Sequence, residues 1–530
     1  MQLDSMVIRF LPTIRRCLCW VLICGSCGIS DNCLQAFGDI RLPKLFCDSM
    51  VLQRQSEVHL YGTADPNEPL VLVITGEGEE GRELKTVCNE QGEFSLKFAP
   101  PPVGGPYELT LTGEKSKVVI RDVLVGDVWL CAGQSNMAFP ISKSDPAEIV
   151  AAETPRSHLR LLSIPQTASP QPLDDVAGAV EWVRSNRETA LEFSAVGWHF
   201  GSLLQEELDV PVGLLHASWG GTKAEAWISM EALSSETSLE SLLENSNPLD
   251  ESSKRQDHSA SLYNGMISPL RRFPIKGVVW YQGEANVGRG QQYGTLLPLL
   301  IADWRKQWDS QHLPFLFVQL APFRYKSLSP QALPELWDAQ LKTYKQVPRT
   351  GMIVISDLGN HDDVHPVRKQ EVGRRLGIWA LAEVYQGRQL QPIENPALST
   401  DVVPSNTTTP NEATSTTTPD ATPHSGPLFR EAKVEENRVV VSFFAGEGLR
   451  SSDEQPLREF LIAGEDQVFH PANAVIDGDR IVVSSDQVSH PVAVRFSWND
   501  TPNSNLVNLA GLPASPFRTD NFPLSSPKLR

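Results

Sequence analysis

A serine, a histidine and a few convergent amides can together transfer an acyl group. This chain of 530 residues carries candidates for each where a buried strand would stop. The apolar run 123–132 ends in Gly133-Gln134-Ser135-Asn136-Met137. A run that is apolar on both faces reads as a strand of a covered parallel sheet. Ser135 then stands at the carboxyl end of that strand, where open α/β sheets bind their ligands. The string departs from Gly-x-Ser-x-Gly, because Met137 occupies the second glycine position. Taken alone it also fits a strand end closed by a tight turn.

A nucleophilic serine needs a base, a group to orient that base, and donors for the oxyanion. The run 210–217 precedes Ser218-Trp219-Gly220-Gly221-Thr222. A glycine pair lets backbone N–H groups approach a ligand, which makes Gly221 a candidate oxyanion donor, although an ordinary turn accepts the same pair. The run 275–281 precedes Gln282-Gly283-Glu284-Ala285-Asn286, where the Gln282 side-chain amide is a second candidate donor and Glu284 is placed to bond neighbouring loops. The run 352–356 precedes Asp357-Leu358-Gly359-Asn360-His361-Asp362-Asp363-Val364-His365-Pro366. Pro366 suits the first turn of a helix, leaving His365 just ahead of it as the candidate base. Asp362, three residues upstream, can be brought back to Nδ1 by a turn; Asp363, Asp357 and a backbone carbonyl are the alternatives. The same run could be read as a metal site, but its spacing matches no zinc or calcium signature. Neither metal nor cofactor is expected.

These strand ends require a sheet to hold them. From residue 123 onward, strands at 210–217, 275–281, 314–320 and 352–356 alternate with helices at 188–208, 290–308, 334–347 and 367–384. Such alternation predicts a parallel sheet with helices on both faces. Residues 37–122 read instead as short strands between Gly/Pro/Asp/Asn clusters, a small β-sandwich, and 426–530 read as a second all-β module. Between the catalytic region 123–388 and that module, residues 389–425 are dominated by Ser, Thr, Pro and Asn, a composition expected of a disordered insertion.

Arg9, Arg15 and Arg16 followed by the short apolar run 17–24 read as an export signal, with residues 1–36 removed. The protein is therefore expected to be secreted or periplasmic, with no membrane association after cleavage. Five of the eight cysteines lie in or beside that leader; Cys47, Cys88 and Cys131 remain, too few for a disulfide framework, with Cys47 and Cys88 as one candidate pair. The formal net charge of −18 argues against nucleic acid as a partner.

The chemistry-bearing strings occur in order: Gly133-Gln134-Ser135-Asn136-Met137, Trp219-Gly220-Gly221-Thr222, Trp280-Tyr281-Gln282-Gly283-Glu284-Ala285-Asn286, and His365-Pro366 followed by Lys369-Gln370-Glu371-Val372-Gly373-Arg374-Arg375-Leu376. In that order they resemble the sialate O-acetylesterase family of SGNH-type carbohydrate esterases. The resemblance extends to Asp48-Ser49-Met50-Val51-Leu52-Gln53-Arg54 and to Gly511-Leu512-Pro513-Ala514-Ser515-Pro516-Phe517-Arg518, and omits the Thr-rich insertion. It implies a three-layer SGNH-type α/β hydrolase domain flanked by small all-β modules. It further implies Ser135 as nucleophile, His365 as base and Asp362 as triad acid. The oxyanion hole would be built from the Ser135 and Gly221 N–H groups and the Gln282 amide. The expected substrate is an acetylated sugar. A polysaccharide deacetylase, such as one acting on acetyl-xylan, would use the same machinery. A non-catalytic carbohydrate-binding protein is the rival from another class.

Overall fold

The computed structural model describes residues 39–152, 154–244, 255–385 and 423–524. The leader and residues 389–422 of the Thr-rich run lie outside them.

The central sheet is organised on a long strand, β1 (Lys117–Gly133). It is joined by β2 (Arg156–Ser163), β3 (Val183–Ser185), β4 (Val212–Ser218), β5 (Gly277–Tyr281), β6 (Phe315–Val318) and β7 (Thr350–Ile353), in the order β7-β6-β5-β1-β4-β2-β3. All neighbours are parallel except the edge strand β3, which is antiparallel to β2. The chain fills one side of β1 with β4 and then crosses to the other side with β5. Ala132 therefore pairs with Ala217 on one flank and Trp280 on the other. The carboxyl end of β1 is thus the switch point of the sheet, the position at which such folds place their ligands.

Helices cover both faces. Lying between β3 and β4, α1 (Ala195–Leu208) packs on α2 (Lys369–Ala380), which follows β7; α3 (Gly290–Gln307) packs on α4 (Ala332–Gln346). The helix expected over 188–208 is broken: Ser194, fully buried, caps α1 by accepting from the Gly197 N–H at 3.1 Å, and a separate turn Arg187–Leu191 precedes it. β2 was not anticipated because Arg160 interrupts its apolar run; that arginine is buried through its ion pair with Asp122 at 2.6 Å.

The expected boundary at residues 122 and 123 falls inside β1. The first half of this strand pairs with Gly104–Thr112 of the N-terminal sheet, and its second half enters the central sheet. Asp122 marks the joint, with φ of 57° and a carboxylate that accepts from Ser49, Arg160 and Arg184. Asp127, fully buried, is held across the same interface by Arg54 at 2.8 Å.

The C-terminal module forms two four-stranded sheets and one two-stranded sheet, and packs on the central region. Gln319 Nε2 donates to Ser515 Oγ at 3.0 Å, and the Phe323 N–H donates to the Asp500 carbonyl at 3.0 Å. The last residues of the Thr-rich run are anchored: His424 meets Glu383 at 3.0 Å and the Ser425 carbonyl accepts from Asn508 at 2.7 Å. Cys47 and Cys88 are both free thiols, so the candidate pair is not a bridge; Cys131 is packed inside β1.

Candidate active site

The three central strand ends are tied together before any side chain is placed. The Gln134 N–H donates to the Tyr281 carbonyl at 3.0 Å, and the Trp219 N–H donates to the Gly133 carbonyl at 3.0 Å. Gly133 adopts φ of 147°, and a Cβ there would lie 2.1 Å from the Tyr281 carbonyl oxygen. Only glycine allows β1 and β5 to stay in contact to their ends. Ser135 follows immediately, and Gly220 lies against it, close enough that a Cβ on Gly220 would come within 3.3 Å of the serine Cβ. Among the described residues no protein acceptor takes the N–H of Ser135 or of Gly221.

His365 arrives from the loop after β7. Its Nε2 lies 2.8 Å from Ser135 Oγ. The Phe139 ring stacks on the imidazole, with centroids 6.2 Å apart and planes 27° from parallel. Burial and the Lys369 cation lower the His365 pKa, against a smaller upward pull from Asp363.

The aspartates are distributed differently from the sequence expectation. Asp362 accepts from Arg324 at 2.7 Å and makes its ion pair there, not with His365. Asp357 is held by both terminal nitrogens of Arg375, at 2.7 and 2.6 Å. Asp363 is the carboxylate beside the imidazole: it accepts the His365 backbone N–H at 2.9 Å, and the same oxygen stands 3.8 Å from Nδ1. At that separation it acts on the ring as a nearby charge, not through a hydrogen bond. Asp362, expected as the orienting acid, is turned to Arg324 in this structure, and Asp363 is the aspartate nearest the imidazole. The difference is the cation of Arg324, which pairs with the exposed Asp362 carboxylate.

The Gln282 amide, expected as an oxyanion donor, is engaged elsewhere in this structure. It is fully buried, and its two amide hydrogens go to the Thr222 carbonyl at 3.1 Å and to Asn286 Oδ1 at 2.7 Å. Asn286 cannot turn to release it, because Asn286 Oδ1 also accepts the Ala224 N–H and its Nδ2 donates to Glu225. Gln282 thus braces the glycine loop after β4 against the loop after β5.

Three side chains beneath the Ser135–His365 pair were given no role from the sequence, apart from the suggestion that Glu284 bonds neighbouring loops. Asn136 donates to Glu284 at 2.5 Å and to the Val364 carbonyl at 3.0 Å, and accepts from the Lys369 ammonium. Burial drives the Lys369 pKa down to about 7 and raises that of Glu284. The available signal was periodicity. Lys369 shares a helical stripe with Val372, Leu376 and Trp379, all buried, so a lysine stood where the pattern called for an apolar residue. A separate cavity of about 470 Å³ opens among Gly294, Asp338, Lys342 and Arg518 and includes none of these groups. Among the described residues no cluster of three or more His, Cys, Asp or Glu is arranged to hold a metal ion.

Residues 125–385 match the family model for carbohydrate esterases described as sialic acid-specific acetylesterases. The chain is 33% identical over 377 residues to the sialate O-acetylesterase of Pongo abelii, covering 65% of this chain and 71% of that protein. It is 32% identical over 374 residues to the Homo sapiens sialate O-acetylesterase, covering 65% and 71% respectively. A solved carbohydrate acetylesterase from Xanthomonas citri superposes with a TM-score of 0.77 at 33% identity, covering 91% of this chain and all of that one. The chain is a carboxylic ester hydrolase and belongs to the sialate O-acetylesterase family of carbohydrate esterases.

Proposed function

We propose that this esterase removes O-acetyl groups from sialic acids through an acyl-enzyme formed on Ser135, and that it works outside the cytoplasm. The observation that carries the mechanism is the 2.8 Å approach of His365 Nε2 to Ser135 Oγ at the switch point of the sheet. Nε2 takes the hydroxyl proton as Oγ attacks the acetyl carbonyl. The Ser135 N–H and the Gly221 N–H receive the developing oxyanion, and Gln282 holds the glycine loop in place. The imidazolium returns its proton to the departing sugar oxygen. Water, deprotonated by the same imidazole, then attacks the acetyl-serine, and the imidazolium protonates the departing Ser135 Oγ, releasing acetate and the free enzyme. Asp363 is the nearby negative charge that favours the transient imidazolium. Sialic acid as the sugar rests on the names of the family and of the curated relatives. An extracytoplasmic location rests on the Arg-rich, apolar amino-terminal run.

Release of acetate from O-acetylated sialic acid and from acetyl-xylan, followed by mass spectrometry of the sugars, tests this reading. Faster turnover of the sialic acid supports it. Preference for acetyl-xylan would replace the substrate and leave the mechanism intact. Unimpaired turnover by Ser135→Ala would end the mechanism itself.

A further inference from the structure

The loop that carries His365 is a chain of short turns, such as the Asp363 N–H on the Asn360 carbonyl at 3.2 Å and the His365 N–H on Asp363 at 2.9 Å. Its one internal ladder contact is the isolated bridge between Asn360 and Asp363. Those turns are local and do not reach Ser135; among the ties from outside the loop, the one next to His365 comes from the residue that follows the nucleophile. Asn136, 1% exposed, donates from Nδ2 to the carbonyl of Val364, the residue before His365. Nucleophile and base are thus each one residue away from the two ends of a single, partly buried hydrogen bond.

That bond depends on which way the amide faces. Lys369, fully buried, places its ammonium on Asn136 Oδ1, and Glu284 places a carboxylate on Nδ2. Reversing the amide would put N–H against the ammonium and oxygen against two acceptors, so both ionisable groups enforce one orientation. The Lys369 ammonium also sits over the faces of Phe139, at 5.0 Å, and Tyr281, at 5.4 Å. Phe139 is the ring stacked on His365. We infer that Asn136, its amide fixed by Lys369 and Glu284, is the positioning residue that sets the His365 loop against Ser135. This rests on the assignment of Ser135 and His365 as nucleophile and base.

The same cluster adjusts the base. The charged groups acting on His365 are Lys369 from α2 and Asp363 from its own loop, and those acting on Lys369 are Glu284, Glu148 and Asp363. A cation near the imidazole opposes its protonation. Removing the Lys369 charge therefore raises the pH below which activity is lost.

The experiment compares kcat, KM and the pH profile of kcat/KM on a chromogenic acetyl ester for wild type, Asn136→Ala, Lys369→Met, the double variant and Ser135→Ala. Misplacing a reacting group by about 1 Å costs roughly a hundredfold. We therefore expect Asn136→Ala to lower kcat by about ten- to a hundredfold with KM within about threefold. Lys369→Met should move the acidic limb upward, and the double variant should lose no more kcat than Asn136→Ala alone, because one acts through the other. An Asn136→Ala enzyme with wild-type kcat and a lowered melting temperature would overturn the inference, since Asn136 would then be structural only; so would losses that simply add in the double variant. If Asn136→Ala does not fold, Asn136→Asp, which keeps the shape but removes the Nδ2 donors to Val364 and Glu284, decides by the same reading, a lowered kcat with KM little changed in support and a wild-type kcat against. An active Ser135→Ala would overturn the underlying assignment as well, whereas an inactive one beside a wild-type-like Asn136→Ala overturns this inference alone.

Discussion

The Arg324 guanidinium holds the Asp362 carboxylate at 2.7 Å, so the aspartate three residues before His365 faces a cation from the loop after β6 and not the imidazole. Asp363 takes the place beside the ring. Ser135 and His365 therefore form a close pair with a neighbouring carboxylate that has not closed a hydrogen bond to Nδ1. The loop supplying Arg324 is itself tied to the C-terminal module through the Phe323 N–H and the Asp500 carbonyl, which links that module to the position of the base loop.

Asp362→Asn should leave kcat within about threefold of wild type, because an exposed ion pair contributes little. Asp363→Asn should lower kcat by about tenfold or more, since general-base assistance depends on the charge that favours the imidazolium. Steady-state kinetics on an acetyl ester, run beside melting temperatures, decides the order. A severe Asp362→Asn and a mild Asp363→Asn would restore the original choice of acid.

The pH dependence follows from the lowered pKa of His365. As the proposed base, His365 would work only when neutral, so kcat/KM should fall as pH drops through that pKa. The apparent acidic pKa should lie below the ordinary histidine value of about 6.5. Initial rates at saturating buffer capacity measure it, and a limb above that value would show that the Asp363 charge outweighs burial and Lys369.

Gln282→Ala should lower both melting temperature and kcat, because it leaves the buried Thr222 carbonyl without its donor. Loss of a direct oxyanion donor typically costs about 10²–10³ in kcat. Here the fall should be smaller than that, and accompanied by destabilisation. A full loss in a variant that melts like wild type would return Gln282 to the oxyanion hole.

Arg54→Ala should destabilise the joint between the N-terminal and central sheets. Asp127 is fully buried, and removing one partner of a buried pair typically costs about 3–5 kcal/mol. Thermal unfolding monitored by calorimetry should show a lowered transition, with little change in kcat at temperatures where the variant is folded. An unchanged transition would mean that Gln53, which also donates to Asp127, is sufficient to hold it.

The carboxyl ends of β1, β4 and β5 were legible because each apolar run stops abruptly at glycine or polar residues, and that alone brought Ser135 and the glycine pair to the right edge of the sheet. The helices after β5 and β6 were equally plain from their period. The direction of Asp362 was not, because its partner Arg324 is remote in sequence and placed only by the fold. The break at Ser194 was hidden because the neighbouring residues keep the helical period across it. The boundary at residue 122 was drawn where composition changes, yet the backbone continues as one strand and only the pairing partners change. Lys369 was visible in the pattern as a charge on a buried stripe, but its partners Asn136 and Glu284 come from two other strand ends.

The central claim is that Ser135 is the nucleophile activated by His365. Labelling with a fluorophosphonate probe, followed by peptide mass spectrometry, tests it most directly. The account predicts one modified residue, Ser135, with labelling abolished by Ser135→Ala and strongly slowed by His365→Ala. Modification of a different residue, or undiminished labelling and turnover in Ser135→Ala, would contradict it.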